Sequence, residues 1–109
     1  MSQATVHRGV AYFSGQVGSD PEAGVTDQTA QALSKIDDLL AMVGSDRRNL
    51  LGANIWLSDI STFDQMNTAW DDWVPEGAAP VRATVESRLA HAHWKVEIMV
   101  WAAVPDAPA

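Results

Sequence analysis

Apolar residues recur through the first half of the chain at the spacing of an amphipathic helix. This stretch begins at Thr26, the expected N-cap, and ends before Gly44, which suits the C′ position. Its apolar residues are Ala30, Leu33, Ile36, Leu40 and Val43. The residues expected on the opposite, solvent-facing side are Gln28, Gln31, Lys35 and Asp38. The pattern predicts a helix with one apolar stripe that packs against another layer.

A second stripe with helical spacing follows later in the chain. Ser61 is its expected N-cap, and Pro75 and Gly77 stop the pattern. Its apolar residues are Phe63, Met66, Trp70, Trp73 and Val74. The tryptophans are therefore expected in the core rather than as a platform for stacked bases.

Four segments have the short apolar or alternating pattern of β-strands, namely 10–14, 51–58, 81–87 and 95–103. The element order is then strand, helix, strand, helix, strand, strand. This order predicts an α+β fold in which the two helices cover one face of a four- or five-stranded sheet. The other face would carry Trp56, Met99 and Trp101 beside Arg82 and Glu97. Because large apolar groups on an open face usually indicate a partner, we expect self-association through it.

The composition predicts one folded domain, 1–104, with a short frayed tail, 105–109. Hydrophobic residues make up 47% of the chain and charged residues 19%. The net charge of −7 disfavours a nucleic-acid partner. The sequence has no cysteine, which excludes disulfides, thiol nucleophiles and thiolate metal sites. No secretory signal or membrane-spanning run is visible, so the cytoplasm is the expected location.

Arg82 and Glu97 are the main candidates for chemistry. Arg82 lies mid-strand after Pro80, and its guanidinium matches a carboxylate in a bidentate pair. If 81–87 and 95–103 form a hairpin, Arg82 and Glu97 lie on the same face. They then either neutralise each other at a subunit interface, or bind a ligand carboxylate and orient a water beside it. The pattern leaves both interpretations open, and the structural ion pair is the commoner arrangement.

Other polar residues have a structural role as their simpler interpretation. Ser14 ends the first strand without the histidine or carboxylate pattern of an activated nucleophile. Asn67 lies one residue off the apolar stripe of the second helix, where an amide can bond a loop or face a cleft. His91 and His93 lack a third ligand, so no metal site is predicted.

Several motifs, taken in order, resemble the Rid (reactive intermediate deaminase, YjgF-type) family. They are Ser14-Gly15-Gln16, Gln28-Thr29, Ile36-Asp37, Gly44-Ser45, Phe63-Asp64-Gln65-Met66-Asn67, Ala79-Pro80-Val81-Arg82 and Lys95-Val96-Glu97-Ile98. The stretches 67–73 and 79–85 are especially similar to the YoaB-like branch of that family. Each motif is modest alone, but the set covers nearly the whole chain.

The resemblance implies a chorismate-mutase-like α+β fold, a mixed sheet with two helices on one face, that assembles into a homotrimeric barrel with sites in clefts between subunits. It implies that Arg82 binds the substrate carboxylate and that Glu97 positions a water. Ser14, Asn67 and Thr84 would contact the substrate, Thr84 largely through main-chain groups. The sequence departs from the family in a shortened or missing N-terminal glycine-proline-aromatic segment, in Met99 at a second acidic position, and in Thr84 where cysteine is frequent.

The implied activity is that of a 2-iminobutanoate/2-iminopropanoate deaminase-like hydrolase. Such an enzyme converts 2-imino acids, formed from 2-aminoacrylate and similar enamines, to 2-keto acids and ammonia, without a metal or organic cofactor. The alternative is a non-catalytic trimer that binds small carboxylates and acts as a regulatory or interaction module. RNA cleavage, suggested for some relatives, fits poorly with the charge of −7.

Overall fold

The computed structural model describes residues 1–105, so positions 106–109 of the predicted tail lie outside the described residues. The strands are β1 (Ala4–His7), β2 (Val10–Phe13), β3 (Leu50–Leu57), β4 (Val81–Glu86) and β5 (Val96–Ala103), and the helices are α1 (Val25–Met42) and α2 (Phe63–Trp73). The sequence pattern missed β1 because its four residues are largely exposed and give no apolar face. Neither of the described α-helices has the length and apolar character needed to cross a membrane.

The strands form one mixed sheet in the order β1-β2-β5-β3-β4. β3 and β4 are parallel, and all other neighbours are antiparallel. The predicted mixed α+β sheet is therefore confirmed, but the predicted hairpin between β4 and β5 is wrong because β3 lies between them. β3, α2 and β4 form a β-α-β crossover, which makes its two strands parallel and leaves β4 at the sheet edge.

Both helices cover the same face of the sheet, as predicted. Leu33 and Ile36 of α1 and Met66 of α2 are completely or almost completely buried, together with Ile55 and Ile98 of the sheet. Removing a side chain of this size from water contributes about 1.5–3 kcal/mol to folding. This apolar layer fixes the height and orientation of α2, which carries part of the candidate site.

Only the C-terminal end of α1 agrees with the sequence prediction. Gly44 has a φ of 75° directly after the last turn, which is the left-handed conformation expected at C′. At the start, Gly24 is the N-cap, so the prediction of Thr26 is wrong. The Thr26 hydroxyl instead donates a hydrogen bond of 2.9 Å to the Gln65 carbonyl and ties α1 to α2.

The polar side of α1 is not the solvated surface that its spacing predicted. Gln28 is completely buried, whereas Ala30 of the predicted apolar stripe is exposed. The loop before the helix folds back over this side, and Gln28 bonds to the carbonyls of Pro21 and Ala23. Helical periodicity identifies the face toward the sheet, but it carries no information about a loop that packs on the other face.

Ser61 does not cap α2, contrary to the prediction. It lies in a 3-10 turn, Ile60–Thr62, that precedes the helix. There Oδ1 of Asp59 accepts hydrogen bonds from the Ser61 hydroxyl and amide, at 2.7 and 2.9 Å. These bonds stabilise the ionised carboxylate and lower the pKa of Asp59 from its usual value. Asp59 therefore caps the 3-10 turn, and the N-cap of α2 is Thr62, which makes no side-chain capping bond.

β4 presents its apolar residues to the uncovered face of the sheet. The parallel register pairs Ala53, which is buried under the helices, with Arg82. Arg82 and Thr84 therefore lie on the helix side, while Val81 and Val85 are 72% and 50% exposed on the other side. The alternation along β4 was predicted correctly, but its two faces were assigned the wrong way round.

The uncovered side of the sheet, here called the open face, carries Trp56, Met99 and Trp101 in addition to the exposed valines of β4. All three are partly buried within the chain. The Trp101 indole lies over Gly52, where a Cβ atom would overlap the ring. The prediction of a partly apolar open face is confirmed.

We predict that Ile36→Ala lowers the free energy of unfolding by about 2–5 kcal/mol, because the substitution leaves a cavity in the fully buried core. Chemical denaturation followed by circular dichroism measures this change. Met42→Ala is the matched control, since Met42 lies in the last turn of the same helix and is 78% exposed. The control should change stability by less than about 0.5 kcal/mol. Equal losses for both variants would contradict this description of the core.

Candidate functional site

Arg82 projects from the edge strand β4 toward α2, where two aromatic rings flank its guanidinium. The Cζ atom lies 5.5 Å from the centre of the Phe63 ring and 5.3 Å from that of Trp70. Both distances fall in the range of cation–π contacts. Trp70 was predicted as a core residue and is buried, but it also contacts the guanidinium. The sequence signal that was available is the helical spacing of Phe63, Asn67 and Trp70, which places them on one side of α2.

One nitrogen of Arg82 is held by an amide rather than by a carboxylate. Nη1 donates a hydrogen bond of 2.7 Å to Oδ1 of Asn67. Within residues 1–105, no Asp or Glu oxygen lies within 4.0 Å of the guanidinium nitrogens. Desolvation by burial lowers the pKa of Arg82 from its usual value, and the more distant Asp71 carboxylate partly offsets this shift. The guanidinium stays charged at neutral pH, with donors left for a ligand.

Thr84 lies two positions beyond Arg82 on the same side of β4, so the structure brings Arg82, Asn67 and Thr84 to one side of the sheet. The Thr84 hydroxyl oxygen is buried and has no hydrogen-bond partner among the described residues. A buried hydroxyl without a partner is uncommon in folded proteins and often marks a functional position. These three residues are here called the carboxylate half-site, after the role that the family resemblance implies for Arg82.

Glu97 lies on the open face, away from the carboxylate half-site. It pairs across the sheet with Trp56, on the side opposite the helices. Its carboxylate packs directly on the backbone of Gly15, where a Cβ atom would lie 3.0 Å from the Glu97 Cδ. The prediction that Arg82 and Glu97 share a face is wrong, because it rested on a hairpin that the fold does not contain.

Ser14 is the residue before Gly15 and belongs to the same neighbourhood as Glu97. Its hydroxyl donates a hydrogen bond of 2.8 Å to Oε1 of Gln3 and accepts one of 3.0 Å from Nε2 of Gln16. Ser14, Gly15 and Glu97 are here called the acid–base half-site, after the role that the family resemblance implies for Glu97. One chain therefore contains two groups of predicted site residues on opposite faces of the same sheet.

Two further features lie apart from both half-sites. A groove of 510 Å³ runs between α1 and α2, and its walls include Asp37, Arg47 and Trp73. Arg47 and Asp37 form an ion pair of 2.8 Å there, and the Trp73 indole donates to the same carboxylate. This groove contains none of the predicted site residues, and Arg47 and Asp37 in its wall are paired with each other. His91 and His93 are both exposed. The described residues hold no group of three or more His, Cys, Asp or Glu side chains placed for a metal ion.

Comparisons with known proteins agree with the motifs found along the chain. The family model described as Endoribonuclease L-PSP matches residues 1–104. RutC family protein YoaB of Escherichia coli K12 is 42% identical over 103 residues, which cover 94% of this chain and 90% of that protein. A Capra hircus protein named 2-iminobutanoate/2-iminopropanoate deaminase is 31% identical over 103 residues, which cover 89% of this chain and 74% of that protein.

The crystal structure of a member of the YjgF protein family from Neisseria meningitidis matches this fold with a TM-score of 0.91. It is 42% identical and covers 98% of this chain and 89% of that chain. Sequence and fold thus agree over nearly the whole described length. The chain belongs to the Rid (YjgF-type) family, in its YoaB-like branch.

Proposed function

We propose that the protein hydrolyses 2-imino acids to 2-keto acids and ammonia, with Arg82 binding the substrate carboxylate. The observation that carries this proposal is the state of the guanidinium. It is partly desolvated and fixed in place, yet it has no carboxylate partner within residues 1–105. A partly desolvated cation that is held in place and has no anionic partner suits a small anionic ligand. The name of the goat relative supports the choice of 2-imino acids among such ligands.

Recognition depends on the planar geometry of the guanidinium. The hydrogen bond to Asn67 fixes Nη1, and the rings of Phe63 and Trp70 limit rotation of the group out of its plane. The remaining N–H donors can then form two parallel hydrogen bonds to a carboxylate. In a 2-imino acid the reactive carbon is bonded to that carboxylate, so binding at Arg82 also places the C=N group close to the half-site.

A second subunit completes the proposed site. Because Arg82 and Glu97 lie on opposite faces of one sheet, they contact the same ligand only when they come from different chains. We propose a homotrimer in which the open faces pack into a central barrel. The exposed Val81 and Val85, together with the partly buried Trp101, supply apolar surface for this contact. The cleft between subunits then joins Arg82 of one chain to Glu97 of the partner subunit.

The proposed reaction is balanced by water alone. Glu97 accepts a proton from a water molecule as the water oxygen bonds to C2, and it passes this proton to the imine nitrogen, which gives a neutral aminoalcohol. Glu97 then accepts the hydroxyl proton as the C=O bond forms and delivers it to the amino nitrogen as the C–N bond breaks. Ammonia leaves, the 2-keto acid remains, and Glu97 is again a carboxylate. Acid–base assistance of this kind accelerates reactions by roughly 10²–10⁴-fold, which suits a substrate that is already reactive.

A non-catalytic carboxylate-binding trimer is the second candidate. It is favoured by one observation, namely that a single chain already holds Arg82, Asn67 and Thr84 together without Glu97. The two candidates share the carboxylate half-site and differ in whether Glu97 acts on the bound ligand.

We predict that the protein shortens the lifetime of imino acids generated in situ by an amino-acid oxidase, with catalase present. Survivors are trapped with semicarbazide, and the semicarbazone signal should fall when the protein is added. Arg82→Ala should lose at least about tenfold in kcat/KM, because charged hydrogen bonds contribute about 1.5–3 kcal/mol each. Arg88→Ala, at an exposed loop arginine, is the matched control and should behave as the unaltered protein. Equal signals with and without the protein would end the deaminase proposal.

We predict that Glu97→Gln lowers kcat by about 10²-fold or more, because the amide cannot accept the proton of the attacking water. Binding of 2-oxobutanoate, measured by titration calorimetry, should stay within about threefold of the unaltered protein. A Glu97→Gln variant with full turnover would remove Glu97 from the mechanism. The non-catalytic candidate predicts carboxylate binding but no turnover in either protein.

We predict that Val85→Asp converts the trimer to smaller species in sedimentation velocity and reduces deamination in parallel. An uncompensated charge buried at an interface costs about 3–5 kcal/mol. Met42→Asp places the same charge at an exposed apolar residue at the end of α1 and should remain trimeric. If the unaltered protein sediments as a monomer that still turns over substrate, the intersubunit site is wrong.

A further inference from the structure

Gln28 stands out because its buried side chain bonds entirely outside its own helix. Gln28 and Thr29 are the two buried polar residues in the described part of the chain. The Thr29 hydroxyl bonds back to the Val25 carbonyl within α1, a common arrangement for a helical threonine. Gln28 instead bonds to two segments, the loop before α1 and the loop that leads into β5.

The Gln28 amide uses both of its ends. Nε2 donates toward the carbonyls of Ala23, His93 and Pro21, at 3.1, 3.3 and 3.4 Å, so its two hydrogens are shared among three acceptors. Oε1 accepts a hydrogen bond of 2.9 Å from the Lys95 amide. The side chain therefore joins the loop before α1 to the loop that leads into β5.

Both of these segments lead directly to the acid–base half-site. Lys95 lies immediately before β5, two residues ahead of Glu97. The loop that ends at Ala23 begins at Gly15, on which the Glu97 carboxylate packs. Between these points, Gln16 exchanges two backbone hydrogen bonds with Ile98, at 2.8 and 2.9 Å. Glu97 is thus held between the Gln16–Ile98 bridge on one side and the Gln28 contact with Lys95 on the other.

From this arrangement we infer that Gln28 is a positioning residue for Glu97, an inference that rests on the proposed hydrolysis. Gln28 fixes the start of β5 relative to the Gly15 loop and so sets the position of the carboxylate over Gly15. It does not contact the carboxylate half-site, which lies on β4 and α2. Its loss should therefore affect turnover and leave carboxylate binding intact, because small displacements of a catalytic group lower rates sharply.

Neighbouring polar residues of α1 hold only one of the two segments. Gln31 accepts hydrogen bonds from the amides of Ser19 and Asp20, and Lys35 donates to the Gly18 carbonyl. None of these bonds reaches β5. Gln31 is consequently a matched control, since it anchors the same loop from the same helix without touching the segment that carries Glu97.

The test compares Gln28→Met, Gln28→Glu and Gln31→Met in the deaminase assay and in 2-oxobutanoate titrations. Gln28→Met removes all four hydrogen bonds at nearly constant volume. We expect its kcat to fall about tenfold or more, while KM and the Kd for 2-oxobutanoate stay within about twofold. A second link remains, because Lys95 Nζ donates to the Ala23 carbonyl at 2.7 Å, so the loss should be partial. Gln31→Met should keep the kcat of the unaltered protein.

Gln28→Glu distinguishes positioning from simple folding support. The variant keeps the bond that one side-chain oxygen accepts from the Lys95 backbone amide, and it replaces the three donated contacts by at most one O–H bond, beside the Lys95 ammonium that bonds the Ala23 carbonyl. Its kcat should lie between those of Gln28→Met and the unaltered protein. The inference is overturned if Gln28→Met keeps its kcat, or if it changes KM and Kd with kcat unaltered. It is also overturned if Gln31→Met loses as much kcat as Gln28→Met. If Gln28→Met does not fold, Gln28→Asn takes its place in every comparison, since its shorter amide cannot span both loops.

Hydrogen exchange separates this inference from the proposed function. If the unaltered protein shows no deaminase activity, the proposed function fails. The exchange rates then test whether Gln28 positions the two segments that hold Glu97. Faster exchange at the Gln16 and Ile98 amides in Gln28→Met, but not in Gln31→Met, would support the inference. Unchanged exchange at both amides would overturn it.

Discussion

The parallel pairing of β4 with β3 determines which way Arg82 points, and the candidate site depends on that direction. The crossover helix α2 must cover the sheet between the two strands that it connects. The register that pairs Arg82 with the buried Ala53 then directs the guanidinium into the space beside α2. Phe63 and Trp70 of that same helix form the walls. One continuous β-α-β segment, Leu50–Glu86, thus builds the whole carboxylate half-site.

The charge of Arg82 remains available because its anchoring partner is neutral. The chain has 14 acidic residues against 7 basic ones, so a carboxylate partner would be easy to supply. The structure places Asn67 there instead, and its amide oxygen orients the guanidinium without neutralising it. An aspartate in the same place would form a half-buried ion pair, and a substrate carboxylate would then have to compete with it. By contrast, Arg47 is paired with Asp37 and contributes to structure.

The sequence predicted the two helices and four of the five strands better than it predicted which face of the sheet their residues occupy. Leu33, Ile36 and Leu40 of the α1 stripe and the alternation along β3 gave the right core, because a single chain buries these residues. The alternation along β4 was misassigned because Val81 and Val85 are exposed within one chain, whereas pattern analysis places apolar residues inside. Gln28 was predicted to be exposed because helical periodicity gives no information about the loop that folds back and covers it. The position of Glu97 relative to Arg82 could not be predicted from the sequence, because it depends on strand order. The alternation of apolar and polar residues does not encode the crossover that sets this order.

The misassignment along β4 has a physical origin that bears on how the proposed site works. A contiguous apolar strand face that one chain leaves exposed usually marks a surface that a partner covers. In the proposed trimer this cover is the open face of a neighbour, whose apolar part lies toward β4 and whose acid–base half-site lies where β5 meets the Ser14–Gln16 segment. Packing would remove water from the cleft and strengthen each charge interaction in it. Assembly and catalysis would then depend on the same contacts. A chain that cannot associate would bind the substrate carboxylate more weakly, because water would reach the cleft beside Arg82.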